Sequence, residues 1–119
     1  MKTKAQILNI TQFPYVEYDD NNKLIYYENS YGYWNKRKYD DKGNRIYYEN
    51  SRGFWVKRKF DDKGNMIYHE NNWGNWFKRK FDDKGNLIYY ASYNGDFWSK
   101  QHMPDTPNPY YGTMYTFVY

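Results

Sequence analysis

Three runs, Lys36-Arg37-Lys38, Lys57-Arg58-Lys59 and Lys78-Arg79-Lys80, are the residues of this chain best equipped for recognition chemistry. Each begins two residues after a Trp, so ammonium groups that can meet phosphate or carboxylate oxygens sit beside rings that can stack on bases. Placed on alternate strands of one sheet, the runs would recur about every 9.6 Å, twice the strand spacing. The competing reading is a self-compensated surface. Glu28, Glu49 and Glu70 lie between the runs and paired Asp residues flank them, and exposed ion pairs of that kind balance charge while contributing little else.

Catalytic chemistry has much less to work with. His69 stands where the repeat otherwise has Tyr, and His102 lies in a Pro-rich stretch; neither has a Ser, carboxylate or metal-ligand partner at local spacing. The pairs Asp19-Asp20, Asp40-Asp41, Asp61-Asp62 and Asp82-Asp83 lack the acidic alternation and closing Glu of a calcium loop, so they read as turn formers. With no Cys, disulfides, thiolate metal sites and Cys nucleophiles are excluded. The expectation is a protein without enzymatic activity, cofactor or metal.

The elements that must position these residues are set by a repeat. Gly32, Gly53, Gly74 and Gly95 stand 21 residues apart, and Trp34, Trp55 and Trp76 keep that spacing, with Trp98 one residue late. Such periodicity marks an array of one supersecondary unit. Each unit alternates two turn signals with two short runs rich in Tyr, Ile, Trp and Phe, the pattern of antiparallel strands. The expected fold is all-β: an antiparallel meander of four 21-residue β-hairpin repeats forming one twisted or curled sheet. Residues 1–17 read as an N-terminal cap with an extended lead-in after Pro14, residues 18–101 as the array, and residues 102–119 as a Pro-rich connection with a C-terminal capping strand.

An odd repeat constrains the loops, because side chains alternate faces with period 2 and an odd shift would reverse every equivalent residue. A three-residue loop at Asp41-Lys42-Gly43 and a four-residue loop from Asn50 to Gly53 satisfy it. That register pairs Lys38 with Ile46 and Lys36 with Tyr48, then Tyr48 with Trp55 and Ile46 with Lys57. One face would carry Ile, Tyr, Trp and two Lys per unit. The other would carry Tyr47, Glu49, Phe54, Val56, Arg58 and Phe60, with Arg37 opposite Tyr47.

Aromatics make up 24% of the chain, with 17 Tyr, 7 Phe and 5 Trp, and the formal net charge is only +4, so this is a folding composition despite few aliphatic residues. No apolar window reaches a membrane span and the N-terminal residues do not read as a signal peptide, which makes the expected location cytoplasmic, in the host cell if phage-encoded.

The unit Tyr39-Asp40-Asp41-Lys42-Gly43-Asn44 with its second Gly resembles the YD repeats of the Rhs family, whose repeats build β-sheet wraps that serve as scaffold. The segments Tyr47-Tyr48-Glu49-Asn50-Ser51 and Gly53-Phe54-Trp55-Val56-Lys57-Arg58-Lys59 are similar to small tandem-repeat proteins of bacterial and phage genomes. MORN repeats and choline- or glucan-binding repeats are similar in period and aromatic content, although here Lys-Arg-Lys follows the Trp. The resemblance implies binding to a protein or nucleoprotein, as in a phage-type inhibitor of a host defence complex.

The residues expected to contact a partner are Trp34, Lys36, Lys38, Trp55, Lys57, Lys59, Trp73, Trp76, Phe77, Lys78 and Lys80. Arg45, Arg52, Val56, Trp73, Asn75 and Phe77 differ among otherwise matched positions, where repeat scaffolds often place specificity. Direct binding of nucleic acid and carbohydrate binding on stacked aromatics are the alternatives, and an open sheet edge could pair two copies into a dimer.

Overall fold

Asp and Asn residues that open turns determine where each strand of this chain begins and ends. In the computed structural model, which describes residues 1–99, the Asp40 carboxylate accepts hydrogen bonds from the backbone N–H groups of Lys42 (3.0 Å) and Asn44 (2.8 Å). Gly43 takes the left-handed position at φ +87°, and the Asp40 N–H closes the loop on the Asn44 carbonyl at 2.9 Å. In the first copy Asn22 holds that position at φ +63°. The second turn of the unit uses the same device. Asn50 accepts from Arg52 (2.9 Å) and Phe54 (3.3 Å), its N–H meets the Phe54 carbonyl at 2.9 Å, and Gly53 has φ +88°.

Between these turns run β1 (Tyr15–Tyr18), β2 (Leu24–Glu28), β3 (Trp34–Tyr39), β4 (Arg45–Asn50), β5 (Trp55–Phe60), β6 (Met66–Asn71), β7 (Trp76–Phe81), β8 (Leu87–Ser92) and β9 (Phe97–Ser99). The strands follow one another in sheet order, an antiparallel meander, so the fold class is the one the repeat implies. A four-residue helix, α1 (Lys4–Ile7), precedes them. The chain divides into two compact units, the first Met1–Val56 and the second beginning at Lys57. The expected C-terminal capping strand lies outside the described residues.

The register differs from the expected one. Both turns close three-residue loops, because an Asx side chain that bonds the N–H groups two and four residues ahead does so whether it is Asp or Asn. The odd residue of each unit is absorbed within the strands. Tyr39 pairs with Arg45, but Lys38 pairs with Tyr47, leaving Ile46 as a bulge. Ile25 is passed over in the same way between Leu24 and Tyr26, and Ile88 between Leu87 and Tyr89. Lys36 therefore faces Glu49 and Arg37 faces Tyr48, correcting the expected pairs with Tyr48 and Tyr47.

Little of the sheet is sealed from water. Among the described residues the buried apolar side chains are Ala5, Tyr26, Val56 and Trp98, and neither face of either unit is wholly apolar. Rings and cations substitute for an aliphatic core. In the first unit Arg37 and Arg45 lie 5.7 and 4.9 Å from the Tyr48 ring, and in the second Arg79 lies 4.2 Å from that of Phe77.

The Gly53→Ala variant isolates the backbone cost of these turns, since a Cβ there would meet nothing within 4 Å. It is expected to lose about 1–2 kcal/mol, seen as a lower urea midpoint with unchanged slope.

Candidate functional site

The bulges decide which side chains share a face. In the first unit Trp34, Lys36 and Lys38 of β3 lie alongside Tyr26 and Glu28 of β2 and Tyr47 and Glu49 of β4. Tyr47 and Glu49 thus stand on the Trp/Lys face, not on the opposite one. Along these strands a Tyr and the Glu two residues later form a pair: the Tyr26 hydroxyl donates to Glu28 (2.8 Å) and Tyr47 to Glu49 (2.9 Å). In the second unit Tyr68 donates to Glu70 at 3.0 Å. Each pair fixes a carboxylate beside the lysines. Glu49 lies 3.7 Å from the Lys36 ammonium.

Glu28 does more than balance charge. It is 2% exposed and also accepts from the Thr3 hydroxyl at 2.6 Å and the Ala5 backbone N–H at 3.0 Å. Thr3 and Gln6 form a reciprocal capping box at the start of α1. A helix this short has no stability of its own in water, so the buried carboxylate is what holds it on the sheet. Burial alone would raise the Glu28 carboxyl, but the donors Thr3, Ala5 and Tyr26 outweigh it and hold it below the usual range. Lys4 of α1 bonds Glu17 at 2.6 Å.

In the second unit one face holds Lys57 and Lys59 of β5, Tyr68 and Glu70 of β6, Trp76, Lys78 and Lys80 of β7, and Tyr89 and Ala91 of β8. All four lysines are exposed. Lys78 pairs with Ala91, where Lys36 of the first unit pairs with Glu49. The last Tyr-x-Glu motif has become Tyr89-Tyr90-Ala91, and the Tyr89 ring instead meets Phe97 edge-on at 5.5 Å. Among the described residues this face of the second unit has four ammonium groups and one carboxylate, Glu70.

No protein-family model matches the chain, and no curated protein does.

Of the residues expected to contact a partner, Trp34, Lys36 and Lys38 share one face of the first unit, and Lys57, Lys59, Trp76, Lys78 and Lys80 share one face of the second. Trp55 belongs to β5 in the first unit. Phe77 does not join the Trp/Lys set: the pleat turns it to the other face, where it stacks 5.1 Å from His69 and 6.3 Å from Tyr90. Trp73 sits at a turn tip and is 70% exposed. The Tyr-x-Glu pairs were the missed functional feature, and their spacing of two along a strand was the available signal. Among the described residues, no three His, Asp or Glu side chains converge on a common point, and no helix is long and apolar enough to cross a membrane.

Two groups on these strands have measurable effects on stability. Burial, with the nearby charges of Arg58 and Arg79, lowers the His69 imidazole below its ordinary value. The unfolded chain then binds the proton more tightly, so this contribution is present above about pH 6.5 and is lost as pH falls through the lower folded value. The His69→Tyr variant, which restores the repeat's own residue, is expected to flatten the dependence of the urea midpoint between pH 7 and pH 5. The Glu28→Gln variant is expected to cost about 1–3 kcal/mol by leaving buried donors poorly matched. Faster hydrogen exchange at the Ala5 amide than at β3 amides would locate that loss at α1.

Proposed function

We propose that this protein is a non-enzymatic binding module that holds a protein or nucleoprotein partner by its anionic groups, against the Trp/Lys face of the second unit. The observation that carries the reading is the replacement of the last repeated Glu by Ala91 opposite Lys78. Where the Tyr-x-Glu pairs are complete, carboxylates offset most of the cations: in the first unit Glu17 bonds Lys4, Glu49 lies beside Lys36, and Glu28 stands on the same face. Where the last one is broken, cationic charge is left for an external anion. The Lys59, Lys78 and Lys80 ammonium groups lie over the rings of Tyr68, Trp76 and Tyr89 at 5.8, 5.6 and 5.4 Å. Held there, they present charge with less loss of side-chain freedom on binding than lone surface lysines would suffer.

Carbohydrate binding on stacked aromatics is distinguished by salt, since retention through ring stacking alone would not fall as salt rises. Direct binding of nucleic acid uses the same cations, and the distinction lies in whether retention survives nuclease.

The test compares wild-type bait with the Lys78→Glu/Lys80→Glu and Lys36→Glu/Lys38→Glu variants in host lysate, with and without nuclease and at two salt concentrations. Reversal in the second unit is expected to reduce retention of the partner at least tenfold, with wild-type retention falling as salt rises. Reversal in the first unit should have a smaller effect. Equal retention by wild type and the Lys78/Lys80 variant would overturn the reading.

A further inference from the structure

The first unit contains a concavity that the repeat alone would not produce. Because Glu28 anchors α1 over the sheet, the segment Met1 to Lys4 walls a cavity of about 900 Å³ against the Trp/Lys face of β2, β3 and β4. That volume is within the range of small-molecule sites, roughly 300–1,000 Å³. Tyr26 and Trp34 line it with near-parallel rings, 6.3 Å apart and inclined 19°, and Tyr47 borders it from β4. The bulged residues Ile25 and Ile46 also line it, so the irregularity that corrects the register supplies aliphatic surface here.

Charge around the cavity is unevenly matched. Lys4 is bonded to Glu17, and Lys36 lies beside Glu49. Lys38 stands opposite Tyr47, a neutral residue, and Lys2 lines the cavity from the N-terminal side. The lining therefore combines flat aromatic surface for a planar ring system with ammonium groups for an anion.

We infer that this cavity is a nucleotide site, with a base against Trp34 and Tyr47 and a phosphate at Lys38 and Lys2. A base satisfies the rings through its π-face, and a phosphate satisfies the cations without needing a bidentate fork. Either a free mononucleotide or the terminal nucleotide of a single strand supplies this chemistry. The site is separate from the second-unit face proposed above and does not depend on it.

The test is a two-dimensional NMR titration of the full chain with AMP and, in a second arm, with a 5′-phosphorylated hexathymidylate. Ribose 5-phosphate and tripolyphosphate serve as phosphate-only probes. Saturable shifts at the Tyr26, Trp34, Lys38 and Tyr47 amides with AMP or the oligonucleotide, and none of comparable affinity with the phosphate-only probes, are expected. Lys38→Glu and Trp34→Ala should each weaken binding at least tenfold, whereas Lys78→Glu/Lys80→Glu should leave AMP binding unchanged. Tighter binding of the oligonucleotide would identify a strand end as the source, and tighter binding of AMP a free nucleotide. Lys38 is exposed, so its variant carries the test if Trp34→Ala does not fold. No saturable shift at millimolar AMP or oligonucleotide, equal affinity for tripolyphosphate, or unchanged binding by Lys38→Glu would each overturn the inference.

Discussion

A pleated sheet turns successive side chains to opposite faces, so an odd repeat keeps its tryptophans and lysines together only if each unit absorbs one residue of register. The bulges at Ile25, Ile46 and Ile88 do this. The composition of the Trp/Lys face depends on that step. Without it Lys36 and Glu49 would lie on opposite sides of the sheet, as would Lys38 and Tyr47. A bulge also locally increases twist, and its position beside the Asp-Gly turn confines the irregularity to one end of the hairpin.

With register established, the balance of charge separates the two units. Complete Tyr-x-Glu pairs give the first unit carboxylates set beside its lysines, and one of them, Glu28, is buried deeply enough to hold a helix. The second unit has the same lysine ladder but ends its series in Ala91. One short side chain thus changes what the face offers, although the backbone pattern around it is the same. Ring and cation contacts on both faces take the place of aliphatic packing, consistent with the small set of buried apolar residues.

The turns were legible in the sequence because their chemistry is local: an Asx side chain and a Gly at φ > 0 lie within five residues of each other. The strands between them followed from β-branched and aromatic runs. The register was not legible, since a bulged Ile resembles any other strand Ile and a change in loop length meets the parity condition equally well. For the same reason Tyr47 and Glu49 were assigned to the wrong face while Trp34, Lys36 and Lys38 were grouped correctly. Helix α1 escaped notice because four residues carry no periodic pattern, and its cause, Glu28, lies some twenty residues away along the chain.

The phase correction within the hairpins also bears on how such a chain can change in length. Because the extra residue is absorbed inside the unit, each repeat hands the next one a sheet in the same orientation. Duplication or loss of a whole unit then leaves every downstream side chain on its original face, whereas a duplication beginning and ending in unlike places would turn the rest of the sheet over. Replication slippage can therefore lengthen or shorten the ladder without redesigning it, and a single side-chain difference such as alanine at position 91 then changes the charge of one unit alone.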